Sequence, residues 1–153
     1  MLKMRTLHLV VVDDNPAEHA LLTSIFERIN ASPTCTFFTS TAAALAALRQ
    51  ALTENESLPD LMLLDVHLPG QSGLELLNCI KGDLRLRRLP VIMMSTAEDA
   101  QEIHACYRAG ANAFFVKPVG YDRVVQLYTQ LLSFWAQPSL RLPGHPVSGR
   151  LTS

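Results

Sequence analysis

Four short stretches each end an apolar run in residues that can do chemistry. VVVDDN (10–15) ends in Asp13 and Asp14, LMLLD (61–65) in Asp65, PVIMMST (90–96) in Ser95 and Thr96, and AFFVKP (113–118) in Lys117. Apolar runs of this length, bounded by turn residues, read as strands buried on both faces of a parallel sheet. In such a sheet ligands bind outside the carboxyl ends of the strands. An acid pair, a further acid, a hydroxyl and an ammonium are therefore expected on one rim. Three carboxylates brought together repel, and a divalent cation relieves that repulsion. Ligation by oxygen alone favours Mg²⁺ over softer metals. The lysine and the hydroxyl add nothing to a bare cation, but they suit an anion with several oxygens. A phosphoryl group on one aspartate uses the whole set: Mg²⁺ neutralises one oxygen, Lys117 a second, and Ser95 donates to a third. Asp65, presented by a rigid central strand, is the expected nucleophile.

The elements that must hold these residues alternate along the chain. Strands are expected at 6–12, 35–39, 61–65, 90–95 and 113–117, and helices at 16–30, 42–52, 72–81, 98–110 and 121–136. In the first helix Leu21, Leu22, Ile25, Phe26 and Ile29 recur at helical spacing. Asn15 or Asp14 can cap it, and Pro16 suits the first helical position. Ser40 or Thr41 caps the second helix. This alternation predicts an α/β fold: a doubly wound, five-stranded parallel sheet with right-handed crossovers and helices on both faces. Residues 1–137 are expected to form one domain. Residues 138–153, PSLRLPGHPVSGRLTS, hold three prolines, two glycines, two arginines and no acid, and read as a mobile or partner-contacting tail.

A chain of 153 residues that is 48% hydrophobic can bury a real core in one domain. Its formal net charge of -1 gives no electrostatic case for nucleic acid or an anionic membrane. The basic cluster KGDLRLRR (81–88) contains Asp83 and falls in a helix-to-strand connection, so it reads as solvated charge. No apolar run reaches the roughly 18 residues of a membrane span. The amino-terminal stretch runs into Asp13 and Asp14 without a small-residue cleavage site. A soluble, cytoplasmic protein is expected. Cys35, Cys79 and Cys106 lack metal or disulfide spacing and are expected as half-buried core thiols. His8, His19 and His104 are read neither as ligands nor as phosphodonors.

VVVDDN, LMLLDVHLPGQSGLELL, PVIMMSTAED and AGANAFFVKP together resemble the receiver domain of two-component response regulators, over about residues 6–136. The resemblance implies the flavodoxin-like strand order 2-1-3-4-5. It makes Asp65 the phosphoacceptor for a histidine kinase. Asp13, Asp14 and Asp65, with the backbone carbonyl of His67, would hold Mg²⁺. Ser95 becomes the switch hydroxyl, Lys117 the phosphoryl-contacting lysine and Phe114 the rotating switch aromatic. The Lys117–Pro118 bond would be cis. His67 and Ala97 occupy the positions that tune loss of the phosphoryl group. Ala97 has no group to orient an attacking water, so self-dephosphorylation is expected to be slow. The implied activity is acceptance and loss of its own phosphoryl group, with no other catalysis.

The short tail cannot hold a helix-turn-helix, so the expected output is a protein contact or onward phosphoryl transfer. TENESLPD, RLRRLPVIMMST and the FW pair of the last helix resemble the stand-alone regulators paired with bacterial phytochrome kinases. Val124, Val125, Leu127, Tyr128, Leu131, Leu132, Phe134 and Trp135 spread over half the circumference of that helix. One core-facing stripe needs less, so a homodimer through the last helix is expected. Other readings fit less well. A haloacid-dehalogenase-type phosphatase needs an acid where His67 stands, a flavodoxin needs a Ser/Thr-rich phosphate loop where DDNPAE stands, and a dinucleotide binder needs GxGxxG. The remaining rival is a receiver-like binding module that is never phosphorylated in its working cycle.

Overall fold

The computed structural model describes residues 6–29 and 34–142. Its elements are β1 (His8–Val12), α1 (Pro16–Arg28), β2 (Thr34–Phe38), α2 (Thr41–Thr53), β3 (Leu61–Asp65), α3 (Gly73–Gly82), β4 (Val91–Ser95), α4 (Ala100–Arg108), β5 (Ala113–Val116) and α5 (Tyr121–Trp135). The five strands form one parallel sheet in the order β2-β1-β3-β4-β5. That is the expected α/β architecture, and the expected elements agree to within a few residues at each end. Residue 30 of the expected first helix and residues 143–153 of the tail lie outside the described residues. No described helix is long and apolar enough to cross a membrane.

Alternation along each strand divides the core in two. Val10, Val12, Met62, Leu64, Val91 and Met93 point to one face, where Ala44, Leu48, Leu76, Leu77, Ile80 and Cys106 of α2, α3 and α4 cover them. Leu9, Val11, Leu61, Leu63, Ile92 and Met94 point to the other, under Leu22, Ile25 and Phe26 of α1 and Tyr128, Leu131 and Leu132 of α5. Full burial of each Val, Leu, Ile, Met or Phe side chain among these stabilises the fold by about 1.5–3 kcal/mol. Because both faces are covered, β3 carries no polar residue until Asp65 at its carboxyl end. Leu140 packs against the α1/α5 side and Leu142 is buried there, so the first residues of the expected tail belong to the folded body.

Helix starts follow from local chemistry. Asn15 accepts from the Ala17 amide ahead of Pro16, Ser40 from Ala43, Ser72 from Glu75 and Asp99 from Gln101. Each satisfies an amide that the first helical turn leaves unpaired. Cys106 is buried while Cys35 and Cys79 are half-buried, and all are free thiols. Burial pushes the Cys35 thiol up to about 12, which keeps it protonated and unreactive.

The start of α3 runs against the end of β3. The Gly73 amide donates to the Val66 carbonyl at 2.9 Å, and a Cβ at Gly73 would collide with the backbone carbonyl oxygen of Asp65. Only glycine allows this approach, and backbone on both sides cannot give way as a side chain tip can. Gly73→Ala is expected to cost ~2 kcal/mol, in the range of overpacked sites, and to lower the melting temperature by roughly 4–8 °C in a domain of this size. Thermal denaturation followed by circular dichroism measures this; an unchanged melting temperature contradicts it.

Candidate functional site

The carboxyl ends of β1 and β3 lie side by side where the winding of the sheet reverses, the place at which open α/β sheets bind ligands. Asp13 and Asp14 follow β1, and Asp65 ends β3. One carboxylate oxygen from each of Asp13, Asp14 and Asp65 lies within 4.8 Å of the others. Asp13 is buried, Asp65 half-buried and Asp14 exposed. The trio is therefore held from below by the sheet and open to solvent at Asp14.

Backbone donors fix the carboxylates. The Asn15 amide donates to Asp13 Oδ1 at 2.9 Å, and the His67 amide to Asp65 Oδ1 at 3.3 Å. Lys117, just past β5, reaches across two strands. Its ammonium donates to Asp13 Oδ2 at 3.0 Å and lies 4.0 Å from Asp65 Oδ2. The Lys117 amide donates to the Ser95 carbonyl at 2.7 Å, which anchors the backbone that carries the ammonium. The Lys117–Pro118 bond is trans, like every other described peptide bond. This corrects the cis geometry that the resemblance implies. Trans is the lower-energy isomer of an X–Pro bond by about 0.5–1 kcal/mol, and the lysine reaches Asp13 without the cis form.

Ser95 is fully buried. It follows Met94, the register partner of Asp65, and its hydroxyl accepts from the Ala97 amide at 3.1 Å. Ala97 and His67 flank the rim and are exposed. The His67 ring lies 3.1 Å from Glu102 of α4, so its side chain is engaged across the rim rather than simply solvated. Phe114 stands further back along β5. It is half-buried against the cluster under α2, α3 and α4, and its amide donates to the Tyr107 hydroxyl at 3.0 Å. His19 is engaged structurally, stacking on Phe37 with ring centroids 4.4 Å apart and touching the Asp13 carbonyl at 2.8 Å.

Some members of this neighbourhood escape a reading of the sequence. Glu18 of α1 lies 3.9 Å from the Lys117 ammonium and accepts from the Tyr128 hydroxyl at 2.8 Å. An acid in the first turn of a helix is ordinarily explained by the helix dipole, and Tyr128 reads as one more apolar residue of α5. Gly73 is missed as well, because the close approach to the Asp65 carbonyl that requires it is made by backbone distant from its own helix interior.

The charges shift one another. Burial raises the Asp65 pKa above the ordinary carboxyl range; Lys117 and the His67 amide pull it down, while Asp13 and Asp14 push it up. Burial works against the Lys117 ammonium, but Asp13, Glu18 and Asp65 outweigh it and hold its pKa above the ordinary value. Hard oxygen donors with mutual repulsion and an open side fit a divalent cation that keeps some of its waters.

A sheet of this order, with an acidic trio and a buried lysine at its switch point, is the arrangement of a signalling receiver. The chain matches the response regulator receiver domain over residues 9–129 and belongs to that family. It is 27% identical to the response regulator Rcp1 of Synechocystis sp. over 130 residues, 84% of this chain and 88% of that one. It is 30% identical to the two-component response regulator ARR16 of Arabidopsis thaliana over 138 residues, 83% of this chain and 81% of that one. Its structure superposes on the Mn²⁺-bound form of Rcp1 with a TM-score of 0.80, covering 90% of this chain and 99% of that one at 27% identity. It superposes on the phosphorylated cyanobacterial phytochrome response regulator RcpA with a TM-score of 0.82 and the same coverage, at 29% identity.

Without a bound cation, the folded protein holds the Asp65 proton more tightly than the unfolded chain does. The stability linked to this group is therefore complete below the ordinary value of 3.8 and is lost as pH rises through the raised folded value. Asp65→Asn is expected to abolish that loss. In chelator at neutral pH the variant is expected to melt above the wild type. The gap should close in acid. A variant less stable than the wild type at neutral pH contradicts this assignment.

Proposed function

We infer that this receiver-domain response regulator accepts a phosphoryl group from a histidine kinase onto Asp65, with Mg²⁺ held by Asp13, Asp14, Asp65 and the His67 backbone carbonyl. The single observation that carries this is the Lys117 ammonium, 3.0 Å from Asp13 and 4.0 Å from Asp65, beside an acidic trio that a cation alone would satisfy. When bound, Mg²⁺ supplies positive charge for the phosphoryl oxygens. An Asp65 carboxylate oxygen forms a bond to phosphorus as the bond to the donor histidine nitrogen breaks. The electron pair stays with the imidazole, which takes up a proton. Lys117 balances charge on the transferred group, and the Ser95 hydroxyl turns to donate to it. Phe114 follows Ser95, and the face formed by α4, β5 and α5 changes.

That face is the output surface in this reading. Tyr107, Val119, Tyr121 and Phe134 are its exposed large hydrophobic residues. A groove of about 400 Å³ lies beside it, lined by Ala113 and Phe115 of β5 and Leu127, Phe134 and Trp135 of α5. These residues support a protein partner and a homodimer through α5. The basic loop supports the same preference over nucleic acid. Lys81 spends its ammonium on the Arg87 and Leu89 carbonyls and on Asn112, and Arg85 pairs with Asp83. Likeness to Rcp1 and RcpA supports a phytochrome-type histidine kinase as the donor.

Intact mass after incubation with acetyl phosphate tests the acceptor. A gain of one phosphoryl group is expected with Mg²⁺, and neither without Mg²⁺ nor in Asp65→Asn. No gain from any donor would favour a binding module that is not phosphorylated. Because Ala97 offers no base or donor for water, the phosphoprotein is expected to persist for minutes rather than seconds after donor removal. Light scattering is expected to show a dimer with beryllofluoride; monomer with and without it would remove the α5 interface.

A further inference from the structure

Glu18 has no part in the chemistry above, yet both of its carboxylate oxygens point inward. Oε1 lies 3.9 Å from the Lys117 ammonium, and Oε2 accepts from the Tyr128 hydroxyl at 2.8 Å. The Glu18 side chain is only 17% exposed. Tyr128, in the middle of α5, is 2% exposed, and the cluster between the sheet, α1 and α5 fixes its ring. A hydroxyl donor held this firmly sets the direction of the carboxylate it meets.

Lys117 therefore lies between alternatives. Asp13 holds it at 3.0 Å, while Glu18 at 3.9 Å and Asp65 at 4.0 Å compete for it from α1 and from β3. A phosphoryl group on Asp65 adds charge on one side only. The ammonium can then meet the new oxygens while keeping Asp13, but it moves away from Glu18.

Resting on the reading that Asp65 is phosphorylated, we propose that Glu18 is a positioning residue. It holds the Lys117 ammonium back from Asp65 in the unphosphorylated protein, and Tyr128 of α5 fixes it in that place. Glu18 thus opposes the phosphorylated state and sets how much donor is needed to reach it. Coupling between two sites acts in both directions. Any partner that shifts Tyr128 by binding α5 loosens Glu18 and eases phosphorylation at the far side of the helix.

Titration of the full chain with the phosphoryl mimic beryllofluoride in Mg²⁺, followed by ¹⁹F NMR, tests this. Glu18→Gln is expected to lower the half-saturating concentration about two- to fivefold, the worth of one partly screened ion pair. Tyr128→Phe keeps the charge but removes the fixed donor, so it is expected to act in the same direction and more weakly. Damage to a purely structural contact would loosen binding, so tightening separates the two roles. A folded Glu18→Gln protein with unchanged or higher half-saturation overturns the proposal. If that variant does not fold, Tyr128→Phe decides by the same criterion. Failure of the wild type to bind beryllofluoride at all would instead overturn the phosphorylation reading.

Discussion

One buried ammonium against a crowd of carboxylates is the constraint on which the rest of the site depends. Lys117 touches Asp13 and lies near Glu18 and Asp65, while Asp14 completes the acidic rim. Buried charges of one sign are costly unless something balances them. A single lysine balances them only in part, and the remainder makes the rim receptive to a cation. The same shortage makes the site responsive, because any added anion redistributes a scarce positive charge.

The fold serves this balance by being rigid beneath it. Asp65 stands on a strand whose preceding residues are all buried, between β1 and β4. Close packing of this kind resists gradual deformation. The acids cannot drift apart to relieve their repulsion. The rim beyond the strand ends is where change is possible: Asp14, His67 and Ala97 are exposed, and the Lys117 side chain is long. Contacts run from this rim in two directions: β3 pairs with β4 and β4 with β5, and Glu18 joins Lys117 to Tyr128 of α5.

Most of the fold was legible in the sequence because the chemistry that specifies it is local. Buried runs such as LMLLD, caps such as Asn15-Pro16 and Ser40, and the regular alternation of elements each need only a short window. The acidic trio, Ser95 and Lys117 were legible for a related reason: each ends such a run, and the topology then brings the ends together. What stayed hidden depends on distance in the chain. Glu18 and Tyr128 are 110 residues apart, and neither has an unusual local context. Glu102 beside His67 is hidden in the same way. The trans Lys117–Pro118 bond departs from the resemblance because a family pattern reports a shared tendency, whereas this backbone meets its anchors at Ser95 and Asp13 without it. Packing of Leu140 and Leu142 was obscured by the prolines and glycines around them.

The strand order also imposes a sequence of events in the making of the protein. β1 is the first strand synthesised, yet it lies inside the sheet and waits for β3 to cover its second edge. Lys117 is 104 residues from Asp13 and follows the last strand. A chain still emerging from the ribosome can expose Asp13, Asp14 and even Asp65, but it lacks the ammonium that pairs with Asp13. Long-range pairings of this kind form late. The full arrangement of charges at the rim thus exists only once the last strand has joined the sheet.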